Sequence, residues 1–152
     1  IGESPKTVSA ALSSVVSLTG LRGRWEVIQQ QPLVICDTGH NLAAWEYLAE
    51  GIRTTAERCG GRLHIVFGMV DDKDVNAVLD LLPHDAIYYF TQADTHRAIP
   101  SEKLLSLAKS RNLHGESYPD VKSAYAAAIG NANASDFVYV GGSSYVVADF
   151  LL

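Results

Sequence analysis

The sequence predicts an α/β domain of three layers, with a mixed, mostly parallel six-stranded sheet flanked by helices. Three observations predict it. Apolar runs of about five residues alternate with amphipathic stretches of about ten, the pattern of right-handed β-α-β units on a parallel sheet. The first two runs are joined by a turn too short for a helical crossover, which makes that pair antiparallel. Several runs also end in polar, glycine-bearing segments, where open α/β sheets place their ligands.

Taken in order, residues 6–18 carry Val8, Leu12, Val15 and Val16 at helical spacing and stop at Thr19-Gly20. With Ile1–Pro5 they read as a linker and N-terminal helix, residues 1–22, ahead of a domain over 23–152. Trp25–Ile28 reads as a short strand, Gln29–Pro32 as a turn, and Leu33–Asp37 as a core strand. Leu42, Trp45, Leu48, Ile52 and Ala56 then line one face of a helix closing at Gly60-Gly61. Leu63–Phe67 is a compact strand, and Val75, Val78, Leu79 and Leu82 give a helix that Pro83 stops. A strand over Ala86–Phe90 leads into a polar loop, Thr91 to Arg97, and Pro100-Ser101-Glu102 opens a helix through Lys109. A short strand near His114–Ser117 precedes an alanine-rich helix over 121–129. Strand Phe137–Val140, the turn Gly141–Ser143 and a last helix with Val146, Val147, Phe150 and Leu151 inward complete the chain.

Composition narrows the function. A chain of 152 residues, 47% hydrophobic and 19% charged, is one globular domain's worth. A net charge of −5 argues against a nucleic-acid partner, which would call for clustered Lys and Arg. No apolar run nears the roughly 20 residues that span a bilayer, so no membrane partner is expected. Cys36 and Cys59 lack metal-ligand spacing and read as reduced structural thiols of a cytoplasmic protein. The chain opens at Ile1 rather than Met, in a linker-like stretch, and is expected to be the C-terminal piece of a longer protein.

The chemistry concentrates where strands end. Asp37-Thr38-Gly39-His40-Asn41 sets a carboxylate, a glycine, an imidazole and a carboxamide between a strand and a helix. Asp37 can accept from ribose hydroxyls or pair with a cation, and His40 can bind a carboxylate or relay a proton. Capping of the helix by Asp37 or Asn41 is the alternative. On a parallel sheet this segment shares one edge with Gly68–Asp74, Thr91–Arg97 and Gly141–Ser144. Ser143 lies at a helix N-terminus, where it can serve an anion or act as the cap. Lys73, in Asp71-Asp72-Lys73-Asp74, reads by itself as part of a solvated charge cluster, and Arg24 as a surface arginine. The three aspartates suit a helix start better than a metal site. His64, on a core strand, reads as structural.

Four of these segments resemble, in order, motifs of the folylpolyglutamate and dihydrofolate synthases, ATP-dependent ligases of the Mur ligase superfamily. Asp37–Asn41 resembles Asp-Gly-Ala-His-Asn, with the glycine one place later. Gly23-Arg24-Trp25-Glu26 resembles Pro-Gly-Arg-x-Glu. Phe67–Asp74 is similar to Gly-x-x-x-Asp-Lys-Asp, and Gly142-Ser143-Ser144-Tyr145 to Gly-Ser-Leu-Tyr.

The resemblance implies a Rossmann-like C-terminal domain that closes over ATP. A separate N-terminal domain, not matched in this chain, would bring the P-loop and the Mg²⁺ ligands. It implies ATP contacts by Arg24 and Asp37, positioning of L-glutamate by His40, and glutamate contacts by Lys73 and Ser143. No bond-breaking residue and no metal ligand is expected on this chain. The implied reaction adds L-glutamate to dihydropteroate or reduced folates through an acyl phosphate. The other readings are a Mur ligase acting on a cell-wall precursor and a non-catalytic nucleotide-binding module. A monomer is expected, inactive without its N-terminal domain, in which removing Asp37 weakens ATP at little cost in stability.

Overall fold

In the computed structural model, residues 22–70 and 74–152 are described, so the helix expected over 6–18 lies outside the described residues. The elements are β1 (Glu26–Gln30), β2 (Leu33–Asp37), α1 (Leu42–Cys59), β3 (Leu63–Phe67), α2 (Val75–Leu81), β4 (Ile87–Phe90), α3 (Ser101–Lys109), β5 (His114–Ser117), α4 (Val121–Asn131), β6 (Phe137–Gly141) and α5 (Ser144–Leu151). The strands form one sheet in the order β1-β2-β6-β3-β4-β5. β1 pairs antiparallel with β2, and every other pairing is parallel, as the short first connection requires.

Alternation along the strands divides the core into two layers. Ile35, Ile65, Phe67, Tyr88, Phe90 and Tyr139 face Trp45, Leu48 and Ile52 of α1, Val78 and Leu79 of α2, and Leu104 of α3. Val34, Cys36, Val66, Val138 and Val140 face Val121, Ala124 and Ala128 of α4 and Val146 and Val147 of α5. β3 and β6 lie mid-sheet and are buried along their whole length, which is why they read as unbroken apolar runs. Trp45 joins the first layer through edge-on contacts with Phe67 and Tyr139, at ring-centroid distances of 5.6 and 5.7 Å.

The elements fall close to their expected positions, with one instructive shift. β1 begins at Glu26 and runs on through Gln29 and Gln30, which pair with Val34 and Leu33. Trp25 stands outside the strand with φ +50°, a corner rather than a strand residue. β1 is an edge strand, so its polar side chains can face solvent without interrupting the ladder.

The end of the sheet where β3 and β6 begin is closed by a buried polar chain. His64, 0% exposed, holds Asp136 Oδ2 at 2.8 Å through Nε2 and the Tyr89 hydroxyl at 2.9 Å through Nδ1. Asn131 donates to the same hydroxyl at 3.2 Å. Every group is satisfied if Asn131 donates to Tyr89, Tyr89 to Nδ1, and Nε2–H to the carboxylate. Asp136 also accepts from the amides of Arg62 (2.9 Å) and Asn133 (3.0 Å), and Arg62 Nε stands 3.5 Å from it. Burial alone would raise the Asp136 carboxyl, but the bonds from His64, Asn133 and Arg62 outweigh it and bring it down to about 2.

The sign of this shift fixes its pH dependence. A carboxyl lowered in the folded state adds stability above its ordinary value of 3.8, and loses it as pH falls through about 2. Asp136→Asn should therefore destabilise the domain by roughly 2–3 kcal/mol at pH 7. The gap between variant and wild type should close as pH drops from about 4 towards 2. Thermal melts of both proteins across that range check it; a gap independent of pH would contradict it.

Candidate functional site

The parallel register sets the strand ends level. Asp37 pairs with Gly141, Phe67 with Gly141, and Phe67 with Phe90. The segments that follow β2, β3, β4 and β6 therefore leave the sheet along one edge, as the topology read from sequence requires. They also touch. Gly68 N donates to Gly141 O at 3.2 Å, Thr91 N to Phe67 O at 2.9 Å, and Leu42 N to Asp74 Oδ2 at 3.4 Å.

Asp37 organises the near end of this edge. One carboxylate oxygen accepts from the Trp25 amide at 2.8 Å and the other from the Gly39 amide at 2.8 Å. Thr38 N donates to Gly23 O at 2.8 Å, so the segment before β1 is sewn to the segment after β2. Glu26 fixes the same corner by accepting from Gly23 N at 2.9 Å and pairing with Arg22 at 2.6 Å. The Arg22 hydrogen bonds hold its carboxyl below the usual range.

Gly39 packs tightly against α1. A Cβ there would collide with Leu48 Cδ1 of α1 and come within 3.2 Å of Ala44 Cβ and Asp37 Oδ1. Gly39 O in turn accepts from Trp45 Nε1 at 3.1 Å, and the Asn41 side chain caps α1 by accepting from Ala44 N at 2.9 Å. The cap is thus Asn41, while Asp37 remains at the strand end. At the centre of the edge Gly142, with φ +112°, lies so close to Gly68 O that no Cβ fits.

Arg24 and His40 adjoin in the chain the two residues whose amides Asp37 holds, and both are exposed. Arg24 has no ion-pair partner among the described residues, and the contact shown for His40 is Nδ1 to Thr38 O at 3.4 Å. Lys73 lies outside the described residues, although its neighbour Asp74 meets the amide of Leu42, two residues after His40. Ser143 lies on the same edge but is 1% exposed, and its hydroxyl accepts from Val146 N at 3.0 Å as the cap of α5. Its oxygen is committed to the helix, which is the capping alternative weighed above.

Asp37 is also tied to the backbone, since both its oxygens accept from amides, and these bonds predict a folding cost for its removal where the sequence led us to expect little. The sequence reading also missed the groove beside it. A cavity of about 650 Å³ opens between Trp25, Asp37, Tyr47 and Leu48, with Glu46 and Glu50 among its lining residues. That size suits a small organic ligand. Tyr47, 80% exposed, was invisible to a pattern that looks for core residues, although exposure of so large an aromatic side chain is the useful signal.

Cys36 lies beneath the edge and is not a nucleophile: burial, then the charge of Glu26, pushes its thiol up to about 12. Among the described residues, no group of three or more His, Cys, Asp and Glu side chains could hold a metal ion. No helix among them is long and apolar enough to cross a membrane.

Parallel strands ending level at one polar edge, with helices on both faces of the sheet, define a domain of the open α/β class. The chain belongs to the Mur ligase family: residues 23–144 match its "Mur ligase, glutamate ligase domain". It is 33% identical over 129 residues to the dihydrofolate synthase/folylpolyglutamate synthase of Escherichia coli K12, covering 84% of this chain and 29% of that protein. It is 35% identical over 128 residues to a probable bifunctional folylpolyglutamate synthase/dihydropteroate synthase of Halobacterium salinarum, covering 84% and 15%. Its fold superposes on E. coli FolC in complex with DHPP and ADP with a TM-score of 0.76, at 32% identity, covering 85% of this chain and 30% of that one. A bifunctional folylpolyglutamate synthase/dihydrofolate synthase with Mn, AMPPNP and L-glutamate bound gives 0.74, at 28% identity and with the same coverage. The chain thus spans less than a third of the length of these relatives.

The packing at Gly39 yields a direct test. Gly39→Ala should lower stability by about 0.5–1.5 kcal/mol, the cost of pushing the Leu48 side chain off its rotamer. Adding Leu48→Ala should make the Gly39→Ala change cheaper, because it removes the colliding methyl. Thermal melts of the double-mutant cycle check this; additive effects would contradict the assigned contact.

Proposed function

We propose that this chain is the C-terminal domain of an ATP-dependent ligase that joins L-glutamate to dihydropteroate or a reduced folate. The observation that supports the reading is the level carboxyl edge, where Asp37 holds the amides of Trp25 and Gly39, the neighbours of Arg24 and His40, and lines a groove, on a domain of the glutamate ligase family. In this reading Asp37 and Arg24 face the nucleotide. Asp37 keeps lone pairs for ribose hydroxyls after accepting two amides, and Arg24 offers a cation to the nucleotide. His40 and Lys73 face glutamate, whose two carboxylates suit an imidazole and an ammonium.

The chemistry follows from the substrates. The carboxylate of the pterin substrate takes the γ-phosphoryl group of ATP, with ADP leaving. The neutral amine of glutamate attacks the resulting acyl phosphate, phosphate departs with the C–O bond electrons, and an amide remains. The amine gives up its proton to solvent or a nearby base. Mg²⁺ would supply charge neutralisation at the phosphates and is proposed to be held outside this domain. The residues of this chain bind, orient and exclude water, and the bond-breaking machinery belongs to a second domain.

Kinetics of the full-length protein test these assignments. Asp37→Ala should raise the KM for ATP by about tenfold or more, the loss of a hydrogen bond to a charged acceptor. It should also lower the Tm by several degrees through its amide bonds. His40→Ala and Lys73→Ala should raise the KM for glutamate by about tenfold and move that for ATP much less. The chain alone should fold and show no ATP-dependent glutamate addition; turnover by it alone would sink the division of labour.

A further inference from the structure

We propose that Glu26, clamped by Arg22, is the positioning residue for Arg24 and so sets the affinity of this edge for a nucleoside di- or triphosphate. The inference rests on the nucleotide role proposed for Arg24 and deepens it. Neither the motifs nor the family match gives Glu26 or Arg22 a role.

The residues on either side of Arg24 are tied down. Gly23, with φ +82°, is buried, and its carbonyl accepts from Thr38 N at 2.8 Å. A Cβ there would lie 2.9 Å from Thr38 Cγ2 and 3.0 Å from Val147 Cγ1, so this backbone is seated against α5. Trp25, with φ +50°, gives its amide to Asp37 Oδ2 at 2.8 Å. Its ring packs over Gly51 of α1 and lies 6.1 Å from the ring centre of Tyr139. A bulky residue keeps a positive φ only where its surroundings hold it.

Glu26 closes the corner. One of its oxygens accepts from the Gly23 amide at 2.9 Å, which joins the two ends of the stretch that contains Arg24. Arg22 meets the same carboxylate through Nε at 3.1 and 3.3 Å and through NH2 at 2.6 Å. Arg24, inside this closed turn, is exposed and has no ion-pair partner among the described residues.

Charge gives the Arg22 contact a second effect. A free carboxylate two residues from Arg24 would compete with an anionic ligand for its guanidinium. The Arg22 fork engages both oxygens of Glu26, which leaves Arg24 to an outside anion. The two side chains of the pair are 43% and 27% exposed, so the pair adds little to stability. Its effect falls on binding, because a corner that is not held must be ordered when the ligand arrives.

The test is calorimetric titration with ADP, and steady-state kinetics with ATP and L-glutamate varied, on the full-length protein. Glu26→Ala should raise the Kd for ADP and the KM for ATP by about five- to tenfold, and leave the KM for glutamate within about twofold. Glu26→Gln keeps an acceptor for the Gly23 amide and should lose no more than about threefold, as should Arg22→Ala. In an Arg24→Ala background, Glu26→Ala should cost less than about twofold, because the residue it positions is gone. Full additivity with Arg24→Ala overturns the proposal, as does an unchanged Kd for ADP in Glu26→Ala or in Arg24→Ala. So do rises in both KM values with a lowered Tm, the mark of a structural carboxylate. If Glu26→Ala does not fold, Glu26→Gln and Arg22→Ala, each combined with Arg24→Ala, decide by the same non-additivity. A wild type that binds ADP but adds no glutamate overturns the ligase reading alone, and the ADP titrations still decide the role of Glu26.

Discussion

The carboxylate of Asp37 is the constraint on which the candidate site depends. It terminates β2, yet its two oxygens reach the amide of Trp25 before β1 and that of Gly39 before α1. One side chain therefore fixes the antiparallel entry into the sheet, the turn out of its second strand, and the placement of Arg24 and His40 on either side. Each such bond is charge-assisted and part-buried, the class of hydrogen bond with the larger net contribution. At Gly39 the turn packs directly on Leu48 of α1, which a side chain there would have to displace. A carboxylate used this way is pre-organised, since its rotamer is already selected before any ligand arrives.

The two ends of the sheet are built on opposite principles. Where β3 and β6 begin, Asp136, His64, Tyr89 and Asn131 satisfy one another within the protein and leave His64 without solvent access. Such a network rigidifies and offers nothing to a ligand. At the carboxyl edge, Arg24, His40 and Arg97 are exposed, and glycines let strand ends and loops approach closely. The mid-sheet strands β3 and β6, buried throughout, join the two ends. The sealed end thus anchors strands whose other ends present the polar groups.

Much of this was legible in the sequence because it depends on period and punctuation. Alternating apolar runs, the short β1–β2 turn and the stop signals at Gly60 and Pro83 place ten of the eleven elements among the described residues close to their bounds. The exception, β1, extends into Gln29 and Gln30 because an edge strand carries polar residues without penalty. The line-up of strand ends followed from parallel topology, and the structural reading of His64 from its place in an apolar strand. What no pattern could give is pairing at a distance. Asp37 with Trp25, Asp74 with Leu42 and Arg97 with Tyr145 are contacts across 12, 32 and 48 positions, and they arise only once the sheet is assembled. The capping role of Ser143 was one of two readings that a Gly-Gly-Ser-Ser turn supports equally, and burial separates its side chain from solvent.

The Asp37 carboxylate closes this edge, and the role proposed for it is to face the nucleotide as well. Amide hydrogen exchange of the full-length protein, with and without saturating ADP, tests it most directly. If Asp37 faces the nucleotide, exchange should slow on ADP at Trp25 and Gly39, the two amides that Asp37 holds. It also predicts no change at Arg62 and Asn133 on the opposite end. Slowing confined to that opposite end, or none at Trp25 and Gly39 with ADP bound, would contradict it.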